Sequence, residues 1–567
     1  MATSFKTAHF KSVLAAAALA LGVMASPAFS QGKIIVVNGN LPGVGFNDTT
    51  AAAPIGGNTG TTLGEQRMNV FLHAADIWTA VLNPRVDIYV WARFVPLGTN
   101  VLGSAGPISV NGGFDGAEYP DLWYHEALAN HLQGFDSIPH DPTFLPNAAD
   151  QANPSDEISA RFATGFNFYF GLDNNEESVP GTVDLLAVVL HEMGHGLGFS
   201  NLVNEVDGTQ FLGFGDVFSQ YTIDDSSQKI WNAMTDAERA ASALNIYKVS
   251  WNGLHVKQDT PNVLKPGEPT LIGNSAGFSG PHLFGPASFG PMLSATGVTG
   301  NVALANDGVG VGSDACEPLA AGSLTGMIAL VDRGTCAFTI KVKNAQDAGA
   351  IAAIAADNVA GSPPPGLGGA DATITIPSGR ITLADGNALK AALAGGPVNV
   401  TMKVDNSILA GTDRINHLAL LATFDPVAPG SSISHFDGIA FPNQLMEPAI
   451  NNDLTSSVTP PEDLTSSLFT DIGWYADFDG VPDGVDSCIG SDLRRTVFFG
   501  RCNSRVGNDL MTDGCTLADR YSECDGKNVG AYAACIAKKT TQFRKAKLIK
   551  PIEEVGIILC ALDNILH

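Results

Sequence analysis

The chain has 567 residues, 45% of them hydrophobic and 16% charged, with a formal charge of -26. That length suits roughly three or four domains, and the apolar share excludes long disorder. The acidic excess, 57 residues against 31 basic ones, repels nucleic acid and anionic membrane surfaces and so argues against both as partners.

At the start, Lys6 and Lys11 precede an apolar stretch from Val13 to Met24, followed by the small-residue site Ala28-Phe29-Ser30. This order predicts a secretory signal peptide over 1–30, export, and a mature chain beginning near Gln31. No second apolar run has the length of a membrane span. "KIIVVN" and "VDIYVWARFVPL" predict strands, and "LGEQRMNVFLHAADIWTAVL" has apolar residues at helical spacing. A second helix is expected in "GTVDLLAVVLHEMGHGLGF". Thr182 is its candidate cap and Asp184 falls in its first turn. Leu185, Leu186, Val189 and Leu190 supply a buried face, and Gly196 and Gly198 end it.

From about 280 to 405, Gly, Ala and Val dominate. "GMIALVDRG", "FTIKVKNAQDAGA" and "IAAIAADN" predict a strand, an amphipathic helix and a strand, a βαβ unit. Aromatic residues return from 406, and a cysteine-rich tail begins at Asp477. All eight cysteines lie beyond residue 315 and none forms a CxxC, which points to disulfides rather than thiolate metal sites. Cys316 and Cys336 form a local pair. The pairing among Cys488, Cys502, Cys515, Cys524, Cys535 and Cys560 stays open.

The chemistry concentrates in "HEMGH". His191 and His195 are four residues apart on one side of a helix, and both can reach a single Zn²⁺ at about 2.0–2.1 Å. Glu192, directly after the first histidine, stands beside the metal where it can take a proton from water. A hydrolytic site needs a third protein ligand, and Asn201 is a poor one. Glu205 and Glu238 are carboxylate alternatives. His417 lies in an apolar run and is expected in the core, whereas His125 and His131, six apart, are expected at the surface.

"HEMGHGLGF" resembles the metzincin branch of zinc peptidases, in which a glycine, here Gly198, turns the chain towards a third histidine. Asn201 departs from that pattern. "SSISHFDGIAFPNQLMEPAI" resembles the second half of the leishmanolysin-like metzincins, where an insertion precedes the third ligand. The resemblance implies His435 as that ligand and Met446 as the methionine beneath the metal. "GMIALVDRGTCAFTIKVKNAQDAGAIAAIAADN" resembles a protease-associated (PA) domain. That implies a Cys316–Cys336 staple and a module that gates or positions substrate or binds a partner, with a purely structural insert as the alternative.

These resemblances imply an α+β multidomain protein. A metzincin-like peptidase domain, 31–280 and 406–475, is interrupted by a PA-like α/β domain, 281–405, and followed by a small disulfide-rich domain, 476–567. The implied activity is that of a secreted zinc endopeptidase acting on proteins or peptides, with Glu192 as general base. The alternatives are a glutamate-ligated peptidase and a non-catalytic zinc-containing binding or adhesion protein. In the tail, Asp477, Asp479, Asp483 and Asp486 resemble an abbreviated thrombospondin type 3 segment, which makes Ca²⁺ a second candidate cofactor, with a Gly/Asp-rich linker as the alternative. "RRTVFFGRC" and "KKTTQFRKAKLIK" are the basic stretches of an acidic chain, expected as the solvated face of a small disulfide-bonded helical domain. Oligomeric state is left open.

Overall fold

A computed structural model describes residues 32–114, 117–144, 152–450, 454–474, 488, 491, 496–499, 502–511, 515–524 and 529–566. The expected signal peptide and the four tail aspartates, Asp477, Asp479, Asp483 and Asp486, lie outside the described residues.

The first half begins with strand β1 (Ile34–Asn38) and helix α1 (Leu63–Leu82). The Thr62 side chain accepts from the Glu65 amide and the Glu65 carboxylate accepts from the Thr62 amide, a reciprocal cap that fixes where α1 starts. Strands β2 (Ile88–Val95), β3 (Gly103–Pro107) and β4 (Ile158–Ala163) complete a sheet of order β1-β2-β4-β3. β1, β2 and β4 run parallel, and β3 pairs antiparallel with β4 at the edge. Helices cover the sheet, so β2 is buried along most of its length and reads as a continuous apolar run. Between β3 and β4 lies the short helix α2 (Glu126–Gln133).

Helix α3 (Leu185–Leu197) crosses this layer, and Asp184 caps it by accepting from the Leu186 amide at 2.9 Å. The cap is therefore Asp184 and not Thr182, which bonds to the Val179 carbonyl instead. The indole N–H of Trp78 on α1 donates to the Leu190 carbonyl of α3 at 3.1 Å. Burying a large apolar side chain of this kind stabilises by roughly 1.5–3 kcal/mol.

After helix α4 (Leu254–Val263) the chain leaves this core for an inserted domain. Its strands are β5 (Pro266–Ser275), β6 (Phe278–His282), β7 (Gly285–Pro286), β8 (Val298–Leu304), β9 (Ile328–Asp332), β10 (Ala352–Ala356), β11 (Ser378–Ile381) and β12 (Asn399–Leu409). Among the described residues they form one sheet of order β6-β5-β12-β8-β9-β10-β11-β7. β8 to β11 are parallel, joined by α5 (Phe338–Asp347) between β9 and β10 as the βαβ pattern predicts. α5 packs into the core on one face, and α6 (Leu383–Gly395) into that on the other.

The insert starts earlier than residue 281. β5 pairs with the returning strand β12 from Pro266 opposite Leu409 to Gly273 opposite Val400. Its two prolines and two glycines hid it, since neither residue type signals a strand interior. The chain then rejoins the first core: residues 419–474, including helix α7 (Thr465–Ile472), share one apolar cluster with residues 34–264, centred on Phe71, Trp78, Phe199, Phe436 and Phe469.

In the tail, Cys488–Cys515, Cys502–Cys560 and Cys524–Cys535 pair, and Cys316–Cys336 staples the insert. The tail is not wholly helical. A hairpin of β13 (Thr496–Phe499) and β14 (Cys502–Gly507) packs against α9 (Pro551–Leu566), which follows α8 (Val529–Lys545). Gly556 allows the close approach, because a Cβ there would meet the Ser504 carbonyl at 2.6 Å. Among the described residues no helix is long and apolar enough to cross a membrane.

Candidate metal centre

α3 carries two of the three imidazoles. It runs through Gly196 to Leu197, and Gly198, at φ +133°, caps it. Gly196 therefore does not end the helix; it admits strand β4, since a Cβ there would lie 2.3 Å from Ile158 Cγ2. Gly194 does the same for Met446, whose Sδ would be 2.7 Å from an added Cβ. Met446 is fully buried beneath the helix.

The structure brings His435 onto this helix from 240 residues away. His191 Nε2 and His195 Nε2 are 3.1 Å apart, and His435 Nε2 is 3.2 Å from each. Each Nδ1 faces a backbone carbonyl: His191 that of Leu445 at 2.8 Å, His195 that of Phe199 at 2.8 Å, and His435 that of Ser431 at 3.0 Å. A carbonyl only accepts, so Nδ1 carries the ring proton and Nε2 is a bare lone pair. Burial pushes all three imidazoles below their ordinary pKa, His195 to about 3, which keeps them neutral. Three lone pairs pointed at one another repel, and a cation between them removes the repulsion. A tetrahedral Zn²⁺ with bonds of about 2.0–2.1 Å needs ligand atoms about 3.3–3.4 Å apart, close to the spacing found. The donor set and its carbonyl-bonded second nitrogens fit zinc.

Glu192 is buried beside them and accepts from the Ala105 amide of edge strand β3. Burial pushes its carboxyl up to about 8, against the pull of that amide. A cation next to it would favour the charged form. β3 approaches closely because Gly103 has no side chain: a Cβ there would stand 2.6 Å from Glu192 Oε1. Neither Gly103 nor Ala105 carries any motif, and the sequence reading missed both.

The competing candidates fall elsewhere. The Asn201 side-chain amide donates to Ser434 Oγ at 3.1 Å and Glu205 Oε1 at 3.0 Å, tying the exit of α3 to the loop that carries His435. Glu238 caps a surface helix with Thr235 and pairs with Lys229. His417 is not in the core; it sits exposed in a turn at φ +58°, organised by Asp413, which accepts from the Ile415, Asn416 and Leu418 amides. His125 and His131 are not at the surface. Both are buried, at 1% and 0% exposure. His125 Nε2 meets Ser200 Oγ at 2.8 Å, and His131 packs its ring on Trp474. Six-residue spacing gave no sign that these two positions face the core from a short strand and helix.

Leucine aminopeptidase 2 of Arthroderma otae is 46% identical over 79 residues, 14% of this chain and 16% of that protein. The probable leucine aminopeptidase 2 of Aspergillus fumigatus is 35% identical over 124 residues, 20% of this chain and 25% of that protein. Vacuolar-sorting receptor 3 of Arabidopsis thaliana is 39% identical over 97 residues, 16% of this chain and 15% of the receptor. The chain thus spans a quarter or less of these relatives. Among solved structures, the zinc aminopeptidase BSAP from Bacillus subtilis aligns over 33% of this chain and 42% of its own, at 23% identity and a TM-score of 0.20. Residues 298–389, from the first residue of β8 into α6, match the PA domain, so the α+β multidomain chain contains a PA domain within its insert.

Proposed function

We propose that the protein is a secreted zinc-dependent endopeptidase with a metzincin-type, leishmanolysin-like site. The observation that carries this is the convergence of three carbonyl-oriented imidazole lone pairs beside a buried glutamate. His191, His195 and His435 would hold the metal, and when bound zinc supplies Lewis acidity at this position. Glu192 takes the proton of the attacking water and passes it to the departing amine. The Ala105 amide keeps its carboxylate in place, and Met446 supports the helix from below. Four disulfides suit an oxidising compartment and support export.

The relatives named leucine aminopeptidase favour a second reading, removal of N-terminal residues. Their matches cover a fifth of this chain or less, and matches of similar extent reach vacuolar-sorting receptors, so the names alone do not decide between the readings. Casein and peptides with blocked N-termini separate the two readings: internal cleavage supports the endopeptidase, and loss of all activity on blocked peptides supports the aminopeptidase. Glu192→Gln is expected to keep one zinc per chain while turnover falls by at least about 100-fold. Near-wild-type turnover in that variant refutes the mechanism.

A further inference from the structure

The inserted domain touches the catalytic half at a point that bears on the third imidazole. After β10, the loop 357–367 reaches back, and Ser362 pairs with Asp425 as a short antiparallel bridge. The Ser362 amide donates to the Asp425 carbonyl at 2.9 Å, and the Asp425 amide donates to the Ser362 carbonyl at 2.8 Å. Asp425 lies three residues before Ala428, whose carbonyl accepts from the amides of both Ser431 and Ser432 at 2.9 Å. The Ala428 amide in turn donates to Ser432 Oγ at 3.0 Å. The Ser431 carbonyl is the group that accepts from His435 Nδ1 and so sets the rotation of that ring.

On the insert side, the loop is fixed by a nearly buried guanidinium. Arg380 on β11 donates from Nε to the Pro365 carbonyl at 2.8 Å and from Nη2 to the Gly366 carbonyl at 2.7 Å. Its Nη1 meets Asp357 at 3.3 Å, and Asp357 is also paired with Arg333 at 2.8 Å. These charge-assisted contacts hold both ends of the loop against the sheet of the insert. Hydrogen bonds and two short backbone segments therefore connect Arg380 to His435. Arg380 holds the Pro365 and Gly366 carbonyls, and residues 362–365 lead to the Ser362–Asp425 clasp. Residues 425–428 lead on to Ala428, which binds Ser431, whose carbonyl meets His435.

We propose that the insert positions the third ligand. Arg380 and the Ser362–Asp425 clasp are positioning elements that hold the Ser431 carbonyl, and with it His435 Nε2, in line with the other two imidazoles. The inference rests on the zinc-peptidase reading. It gives the insert a task in assembling the centre, and the task is carried by backbone groups that no motif displays.

The test uses the full-length protein, with zinc affinity measured by competition against a chelating dye and turnover measured at saturating zinc. Ser362→Pro removes the donating amide, whereas Ser362→Ala keeps both backbone partners. Arg380→Gln withdraws the charged anchor. Loss of an outer-shell partner weakens metal binding by about 10–100-fold. Ser362→Pro and Arg380→Gln are therefore expected to lower zinc affinity about tenfold and to reduce kcat with little change in KM, while Ser362→Ala behaves as wild type. Hydrogen exchange at the Asp425 amide in the unmodified protein supplies a check free of folding effects, and slow exchange is expected. Unchanged zinc affinity in both disruptive variants, or unprotected exchange at Asp425, overturns the proposal. A wild-type protein that binds no zinc is a different result, and it refutes the proposed function itself.

Discussion

Gly103→Ala tests the geometry around Glu192 without replacing Glu192 or any of the three imidazoles. A Cβ at position 103 would lie 2.6 Å from Glu192 Oε1, 2.7 Å from Cγ and 2.8 Å from Cδ. Ordinary van der Waals contact begins near 3.4 Å, so the carboxylate must retreat by about 0.8 Å and give up the Ala105 amide. A displacement near 1 Å in a catalytic group costs up to about 100-fold in rate. The backbone at Gly103 lies outside the left-handed region, so alanine adds no backbone strain there and the crowding is confined to Glu192. Replacing glycine in a strand also removes unfolded-chain entropy, a gain of up to about 1 kcal/mol that offsets part of the local crowding. The expected outcome is kcat on a fluorogenic peptide lowered by roughly 10–100-fold, with zinc content and melting temperature close to wild type. A variant with kcat within about twofold of wild type shows that Glu192 does not need its observed position, and the reasoning fails.

Removing the third imidazole by His435→Ala should weaken zinc binding by more than about 100-fold, since a direct ligand outweighs an outer-shell partner. Unchanged affinity in the chelator competition places the third ligand elsewhere. His125 yields a pH prediction. Burial holds its pKa at about 4 against 6.5 for the free side chain. Above 6.5 it is neutral in both folded and unfolded chains and adds no pH dependence. Between 6.5 and 4 the unfolded chain takes up a proton that the folded one refuses, so stability falls with pH by up to about 3 kcal/mol. His125→Gln removes that loss, and thermal melts of wild type and variant should draw apart in the variant's favour as pH drops from 7 to 4.5. A stability difference that stays constant across that range rules out the burial argument.

The candidate site was legible in the sequence to different depths. The spacing of His191 and His195 fixes their common side, because 3.6 residues per turn is a property of the backbone. The identity of Glu192 as their neighbour follows from the same turn. His435 was reached through a resemblance in "SSISHFDGIAFPNQLMEPAI", and the structure sets it 3.2 Å from both partners. The βαβ unit of the insert was visible because strand and helix periodicities alternate there. β5 was not, because Pro266, Gly267, Pro269 and Gly273 erase the strand signal while β12 supplies the pairing.

His125, His131 and His417 mark the boundary between local and tertiary information. Each was misplaced because burial depends on what packs over a residue, and spacing along the chain does not report that. The contact of Gly103 with Glu192, the pairing of six tail cysteines and the Ser362–Asp425 clasp belong to the same class. The sequence by itself determined the local elements and the chemistry of the helix that carries His191, Glu192 and His195. Tertiary structure alone decided which distant carbonyls, strands and imidazoles close around it, because those contacts are fixed by packing two separated stretches into one core.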